Sequence, residues 1–490
     1  MATERFTILH SNDMHGDFLS EARSEGKGHL IGGLARLSGY INTVRKEEKN
    51  VFYVISGDML QGSLIDSEYK GISTIEIMNY LAPDVASLGN HELDYGLPHL
   101  LFLEKMANFP IVNANMYIKK YYKRLMMPHV ILQKAGFSIL FIGIITEKVM
   151  DSLASDRLVG SFVSLEEASR EVGKITDAYK NDDIDLTVLL THIGIDADIE
   201  LAGILKPEWG VDMIIGGHSH TILAEPIKVN SILIVQAGVG TDHIGRFDIT
   251  VDDATNAIID HQWRLVDIDE DTAAEDAALV AYIRSYQDVV DRKYNTLLCK
   301  FARQLTHPAR EEETEIGNLF ADACAEIAEC DVMLLGSGSI RNERMGPLVT
   351  LGAFRSCFPY DDTLVRFVVT GDQLVRIFQH IMRKENRNGE GECYQVNHGV
   401  RAVYNDREAR LEALMVNDQP VTPAEEYRLA LTGYHLNNCS ANLNIHKEDL
   451  MALRGAKVVS TSTSSALEEY LRNHQNAAAA IEGRLQYRQA

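Results

Sequence analysis

Short apolar blocks alternate with amphipathic stretches through the first half of the chain. Phe6–Leu9, Val51–Ile55, Val85–Leu88, Leu186–Leu190 and Val211–Ile215 have the length and the Val/Ile/Leu/Phe content of buried strands. Between them, Leu30–Lys49, Thr74–Leu81, Leu97–Asn108 and Leu165–Tyr179 place apolar residues at helical spacing, which predicts helices. This alternation, running to about Val251, predicts a layered α/β domain. Over Asp267–Lys300 the pattern gives way to an Ala/Asp/Glu-rich run, read as a connecting helix. Beyond it Ile316–Ala328 and Gly371–Met382 are predicted helices, and Val332–Leu335 and Val365–Val369 are predicted strands, forming a second α/β domain. The expected organisation is therefore a domain over 1–266, a linking helix over 267–300 and a second domain over 301–490.

The polar residues that follow the apolar blocks carry the chemistry. The first block runs into Asp13 and His15, the second into Asp58, the third into Asn90 and His91, the fourth into His192, and the fifth into His218 and His220. In an open α/β sheet the carboxyl ends of the strands converge on one crevice, so these residues are expected to meet. Asp13 and His15 lie two apart on an extended tip and can face one ion. Asp58 follows a glycine and has two oxygens, which makes it the candidate bridging ligand. Asn90 offers a neutral oxygen, and Gly216-Gly217 is read as the turn that aims His218 and His220. A donor set of nitrogen and oxygen only suits Mn, Fe, Co, Zn or Ni better than a structural zinc. So many ligands predict two divalent metal ions, which acidify a water and clamp substrate oxygens for in-line displacement. His91, beside Asn90, is expected to face substrate, with Asp94 in reach to orient it and keep it protonated.

Composition narrows the partners. The chain has 490 residues and a net charge of −23, from 47 basic and 70 acidic residues. That excess argues against a nucleic-acid polymer or an anionic membrane, both of which need a positive footprint. A small phosphorylated substrate stays compatible, because two divalent cations invert the field locally. No stretch reaches the ~18 consecutive apolar residues of a membrane span. Met1–Arg5 leads directly into the first strand without the parts of a signal peptide, so a cytoplasmic location is expected. The six cysteines, all in the second half with no CxxC, are expected to be free thiols.

Taken together, Asn12-Asp-Met-His-Gly16, Gly57-Asp58, Gly89-Asn-His-Glu92 with Asp94, Thr191-His192 and Gly217-His-Ser-His220 resemble, in order and spacing, the calcineurin-like metallophosphoesterases. With Asn113-Ala-Asn115 and the second domain, the chain looks like the 5′-nucleotidase family. The resemblance implies a four-layer αββα sandwich, a linking helix and a smaller α/β C-terminal substrate-binding domain. It implies one metal held by Asp13, His15, Asp58 and His220, a second held by Asp58, Asn90, His192 and His218, and His91 with Asp94 as the catalytic dyad. In the second domain it implies that Arg310 and Arg341, the latter closing Gly336-Ser-Gly-Ser-Ile-Arg341, bind phosphate. Tyr360 and Tyr434 are the matching candidates for an aromatic clamp on a nucleobase.

Two departures stand out. Gly336 occupies the family's Asn position, and Leu431–Asn438 lacks the Gly-Gly-Asp-Gly element whose Asp contacts ribose hydroxyls. The expected activity is hydrolysis of nucleoside 5′-monophosphates to nucleoside and phosphate. A phosphodiesterase or pyrophosphohydrolase acting on 2′,3′-cyclic nucleotides or nucleotide sugars is the alternative enzyme. A ligand-binding module with an idle metal site is the alternative of another class.

Overall fold

The structure is a computed structural model that describes residues 3–22, 30–118, 121, 123–146, 159–162, 164–252, 256–387 and 392–488. The chain forms two compact units, Met1–Val290 and Asp291–Ala490.

In the first unit the apolar blocks divide between two six-stranded sheets. One runs in the order Ala257–Asp267, His243–Asp252, Thr3–Ser11, Val51–Ser56, Val85–Ser87, Ile111–Val112. Its last four strands are parallel, and His243–Asp252 closes on Thr3–Ser11 antiparallel, with Phe6 opposite Ile249. The other runs Ile227–Val229, Ile232–Val235, Met213–Ile215, Leu186–His192, Phe137–Ile145, His129–Lys134, with its four central strands parallel.

The central strands are buried on both faces because each sheet is covered twice. Phe6, Ile8, Phe52 and Val54 of the first sheet meet Phe141, Val188 and Leu190 of the second in the central layer. On the outer face of the second sheet, Leu140, Leu189 and Ile214 pack under Val172 and Ile175 of helix Leu165–Ala178 and Leu201 of helix Ile195–Ile204. Helix Leu34–Glu47 lies on strand Val51–Ser56 of the first sheet. The result is the αββα sandwich.

Three expectations are corrected here. The strand tips expected to bind metal come from two facing sheets, not one open sheet. The helix expected from Leu30 starts at Leu34, because Gly32 and Gly33 take left-handed φ values of 74° and 88° and Leu30–Ile31 pairs with Glu21–Ala22. The linking helix is confined to Ala277–Tyr294: Asp269 accepts the backbone N–H groups of Asp271 and Thr272 in a turn upstream, and Leu297–Lys300 is a strand.

The second unit is built on a five-stranded sheet in the order Tyr394–Val396, Val332–Gly336, Glu426–Thr432, Leu364–Thr370, Lys457–Ser460. Alternate residues serve opposite faces, as a pleated strand requires. Met333 and Leu335 pack with Phe320 of helix Glu315–Ala328, whereas Val332 and Leu334 pack with Ile377 and Phe378 of helix Gly371–Ile381. All six cysteines are free, five of them buried. No helix among the described residues is long and apolar enough to cross a membrane.

Candidate active site

Asp13, His15, Asp58, Asn90, His91, His192, His218 and His220 come together at the carboxyl ends of strands from both sheets of the first unit. Donor atoms of Asp13, His15 and His220 lie within 4.8 Å of one another, and so do those of Asp58, His192 and His218. The pairwise distances are short: 3.1 Å between the Nε2 atoms of His15 and His220, 2.9 Å from His192 Nε2 to Asp58 Oδ2, and 3.2 Å from His192 Nε2 to Asn90 Oδ1.

The imidazoles are pre-set as ligands. His192 Nδ1 lies 2.9 Å from the Ser56 carbonyl, and His15 Nδ1 3.3 Å from that of Leu60. A carbonyl only accepts, so Nδ1 carries the hydrogen in each ring and Nε2 is turned toward the cluster. Asp13 is fully buried and accepts the His218 backbone N–H at 3.0 and 2.9 Å.

His192 and Asp58 are charge-coupled. Burial works against ionisation of both, but each holds the other charged, so the Asp58 carboxyl lies below its ordinary range and the His192 imidazole above its own. Buried carboxylates that stabilise positive charge at that point are what a divalent cation needs. With imidazole nitrogens and a neutral amide oxygen beside them, the donor set fits divalent ions.

The backbone is strained at the candidate ligands themselves. Asp13, His15, Asp58, His218 and His220 have φ of 49°, 48°, 52°, 80° and 53°. An L-residue in this region costs about 1–2 kcal/mol, and such strain concentrates at functional sites. This corrects the reading of Gly216-Gly217 as a turn: the left-handed residues are the histidines. The glycines provide room, since a Cβ on Gly217 would sit 2.8 Å from His192 Nδ1 and one on Gly216 2.2 Å from Asp198 Oδ2.

His91 opens a 3-10 turn over His91–Leu93, and its backbone N–H donates to Asp58 Oδ1 at 2.9 Å. Its Nδ1 is 2.7 Å from Asp94 Oδ2. The hydrogen bond to Asp94, against an opposing effect of burial, pushes the imidazole up to about 8. The side chain is one-third exposed, so it can reach a substrate.

Glu92, part of the Gly-Asn-His-Glu motif, has a role that its sequence context does not suggest. It is buried, and its two oxygens accept backbone N–H groups from Asp58 (3.0 Å), Met59 (2.7 Å), Leu60 (3.2 Å) and Gly89 (2.7 Å). One carboxylate thereby locks the loops that carry Asp58 and Asn90.

Residues 6–221 match the calcineurin-like phosphoesterase family, and residues 295–444 match the 5′-nucleotidase C-terminal domain. The chain thus joins a calcineurin-like phosphoesterase domain to a 5′-nucleotidase C-terminal domain. It is 26% identical to the 5′-nucleotidase of Rattus norvegicus over 98% of this chain and 90% of that one. It is 25% identical to an apyrase of Tabanus yao over 88% and 85%. The same fold is found in a putative 5′-nucleotidase from Staphylococcus aureus (TM-score 0.68, 18% identity, 99% of this chain and 100% of that chain). It also recurs in a 5′-nucleotidase precursor from Thermus thermophilus (TM-score 0.64, 22% identity, 99% of each). The phosphoesterase domain makes the chain a metal-dependent phosphohydrolase.

The second unit holds a cavity of about 500 Å³ lined by Arg310, Tyr360 and Tyr434 among others. The two tyrosines are 54% and 58% exposed. Gly338 lets the Arg310 guanidinium approach, since a Cβ there would stand 3.1 Å from Nη2. Arg341 stands beside the cavity without lining it, its guanidinium 5.7 Å from the Tyr360 ring centroid. Asp362, Glu392 and His435 also line the cavity and were not singled out in the sequence.

Proposed function

We propose that the protein is a 5′-nucleotidase that hydrolyses nucleoside 5′-monophosphates to nucleoside and inorganic phosphate. In this reading Asp13, His15, Asp58 and His220 hold one divalent ion and Asp58, Asn90, His192 and His218 a second, with Asp58 shared. Two bound divalent ions supply Lewis-acid polarisation of the phosphoryl group and acidification of a water. Asp58 suits the shared position because its two oxygens already face different ways, Oδ1 toward the His91 amide and Oδ2 toward His192. His91, kept protonated by Asp94, places positive charge against the phosphoryl oxygens in the transition state and gives its proton to the departing 5′-oxygen. Asp94 orients the ring and stabilises the imidazolium.

The nucleoside end of the reading rests on one observation: two half-exposed tyrosines, Tyr360 and Tyr434, on a single cavity with Arg310. Flat aromatic faces stack on any nucleobase, and the forks of Arg310 and Arg341 match phosphate oxygens. The test is phosphate release with Mn²⁺ from AMP, GMP, CMP, UMP, a 2′,3′-cyclic nucleotide and a nucleotide sugar. Nucleoside monophosphates are expected to have the highest kcat/KM. A higher value for the cyclic nucleotide or the nucleotide sugar would replace this reading by a phosphodiesterase or pyrophosphohydrolase.

A further inference from the structure

The floor of the Tyr360–Tyr434 cavity is polar, and stacking does not use it. Glu392 and His435 both line the cavity. His435 is 2% exposed, and its Nδ1 lies 2.9 Å from Thr432 Oγ1. Its Nε2 faces Glu392 Oε1 at 3.3 Å without making a well-aligned hydrogen bond. The ring is wedged between Tyr394 and Tyr434, with centroids 5.0 and 5.2 Å away. Glu392, with a side chain 20% exposed, is the member of the pair that remains accessible.

Gly336 makes this arrangement possible. A Cβ at that position would stand 2.2 Å from His435 Cε1 and 2.7 Å from Glu392 Oε1, so any other residue would displace both. Gly336 and the Leu431–Asn438 segment therefore meet in space. Gly336 leaves space in the first segment, and His435 of the second fills it from below while Glu392 closes over it. The Glu392 backbone is held in place next door, where the Cys393 carbonyl accepts the Ser337 N–H at 2.8 Å.

We infer that Glu392, seated on His435, is the residue that recognises the heterocyclic base, its carboxylate accepting an N–H from the base edge. This rests on the nucleotide reading above. The ligand class is a flat heterocycle bearing an amine or imide N–H and stacked at the tyrosines. A partly withdrawn carboxylate left without a donor is costly, so a ligand lacking that N–H binds more weakly. His435 touches Glu392 and not the ligand, and is a positioning residue.

The test uses the full chain with Mn²⁺ and measures kcat and KM for the four common nucleoside monophosphates and for ribose 5-phosphate, which keeps the sugar and phosphate but has no base. Glu392→Ala, which removes the acceptor that Gln would keep, is expected to raise KM for the best nucleotide about ten-fold or more, the loss of one hydrogen bond to a charged group, without a matching change in the ribose 5-phosphate constants. His435→Gln should shift the same KM in the same direction by a smaller factor. Ribose 5-phosphate turnover reports folding and metal loading in each variant. Equal losses on nucleotides and ribose 5-phosphate, or a nucleotide KM that neither substitution moves, would overturn the assignment while leaving the nucleotidase reading intact. A wild-type protein that does not prefer nucleotides to ribose 5-phosphate would overturn both.

Discussion

Replacing Asp94 by Asn probes the proposed acid directly, because it removes a charge while keeping the shape. The His91–Asp94 contact is 2.7 Å, and it is the largest reason the imidazole is raised to about 8. Without the carboxylate the imidazole returns toward its ordinary value near 6.5. At pH 7.5 the protonated fraction then falls from about 0.75 to about 0.1, a loss of about 8-fold, whereas at pH 6 the two proteins differ by only about 1.3-fold. Divalent ions at the neighbouring ligands lower both midpoints together, so the quantity to read is the separation between them. The assay is kcat for AMP from pH 5.5 to 9 at saturating Mn²⁺. The Asp94→Asn deficit should open as pH rises and close as it falls. A deficit of equal size at every pH would mean that Asp94 matters for something other than the His91 proton, and the assignment of His91 as the acid would fail.

Asp198 is fully buried, accepts Thr191 Oγ1 at 2.6 Å, and is pushed up to about 8 by burial. A carboxyl raised in the folded state costs stability as pH climbs from its unfolded value near 4 to about 8. Asp198→Asn should therefore stabilise the chain more at pH 8 than at pH 5 in urea unfolding, and an equal gain at both values would contradict this. In the second unit Arg484 is 2% exposed, forks onto Asp322 at 2.8 and 2.8 Å, and reaches Glu482 at 3.0 Å. Arg484→Leu removes the guanidinium from Asp322, while Glu482 keeps His398 and Arg401, and should cost about 1–3 kcal/mol, read as a lowered urea midpoint; an unmoved midpoint would show the network to be dispensable.

What was legible in the sequence had local signatures. The strand blocks announced themselves by composition, and the residues after them by chemistry, so the gathering of these side chains at the strand tips and the His91–Asp94 contact could be expected from the order of residues. What escaped depends on distance in space. Nothing local says that Thr3–Ser11 and Leu186–His192 lie in different sheets, because both are equally apolar. Helix Leu34–Glu47 loses its expected first turn to two left-handed glycines, a property of φ that periodicity does not encode. Glu92 was hidden because its partners are backbone amides, which every residue but proline has. Glu392 and His435 were hidden because their relation runs through the missing side chain of Gly336, more than fifty residues from Glu392 and almost a hundred from His435.

The left-handed backbone at Asp13, His15, Asp58, His218 and His220 also bears on how such a chain can change over evolutionary time. Glycine relieves the conformational cost at each of these positions, so a lineage released from the need to bind metal sheds strain wherever it can give up one of these side chains without stranding a buried partner. The half-exposed His220 meets that condition best, whereas Asp13 and Asp58 are held by the His218 and His91 backbone N–H groups that they accept. A phosphoesterase of this architecture is therefore expected to decay from His220 first once selection relaxes, and a glycine left at that strand tip would mark where an ion once sat.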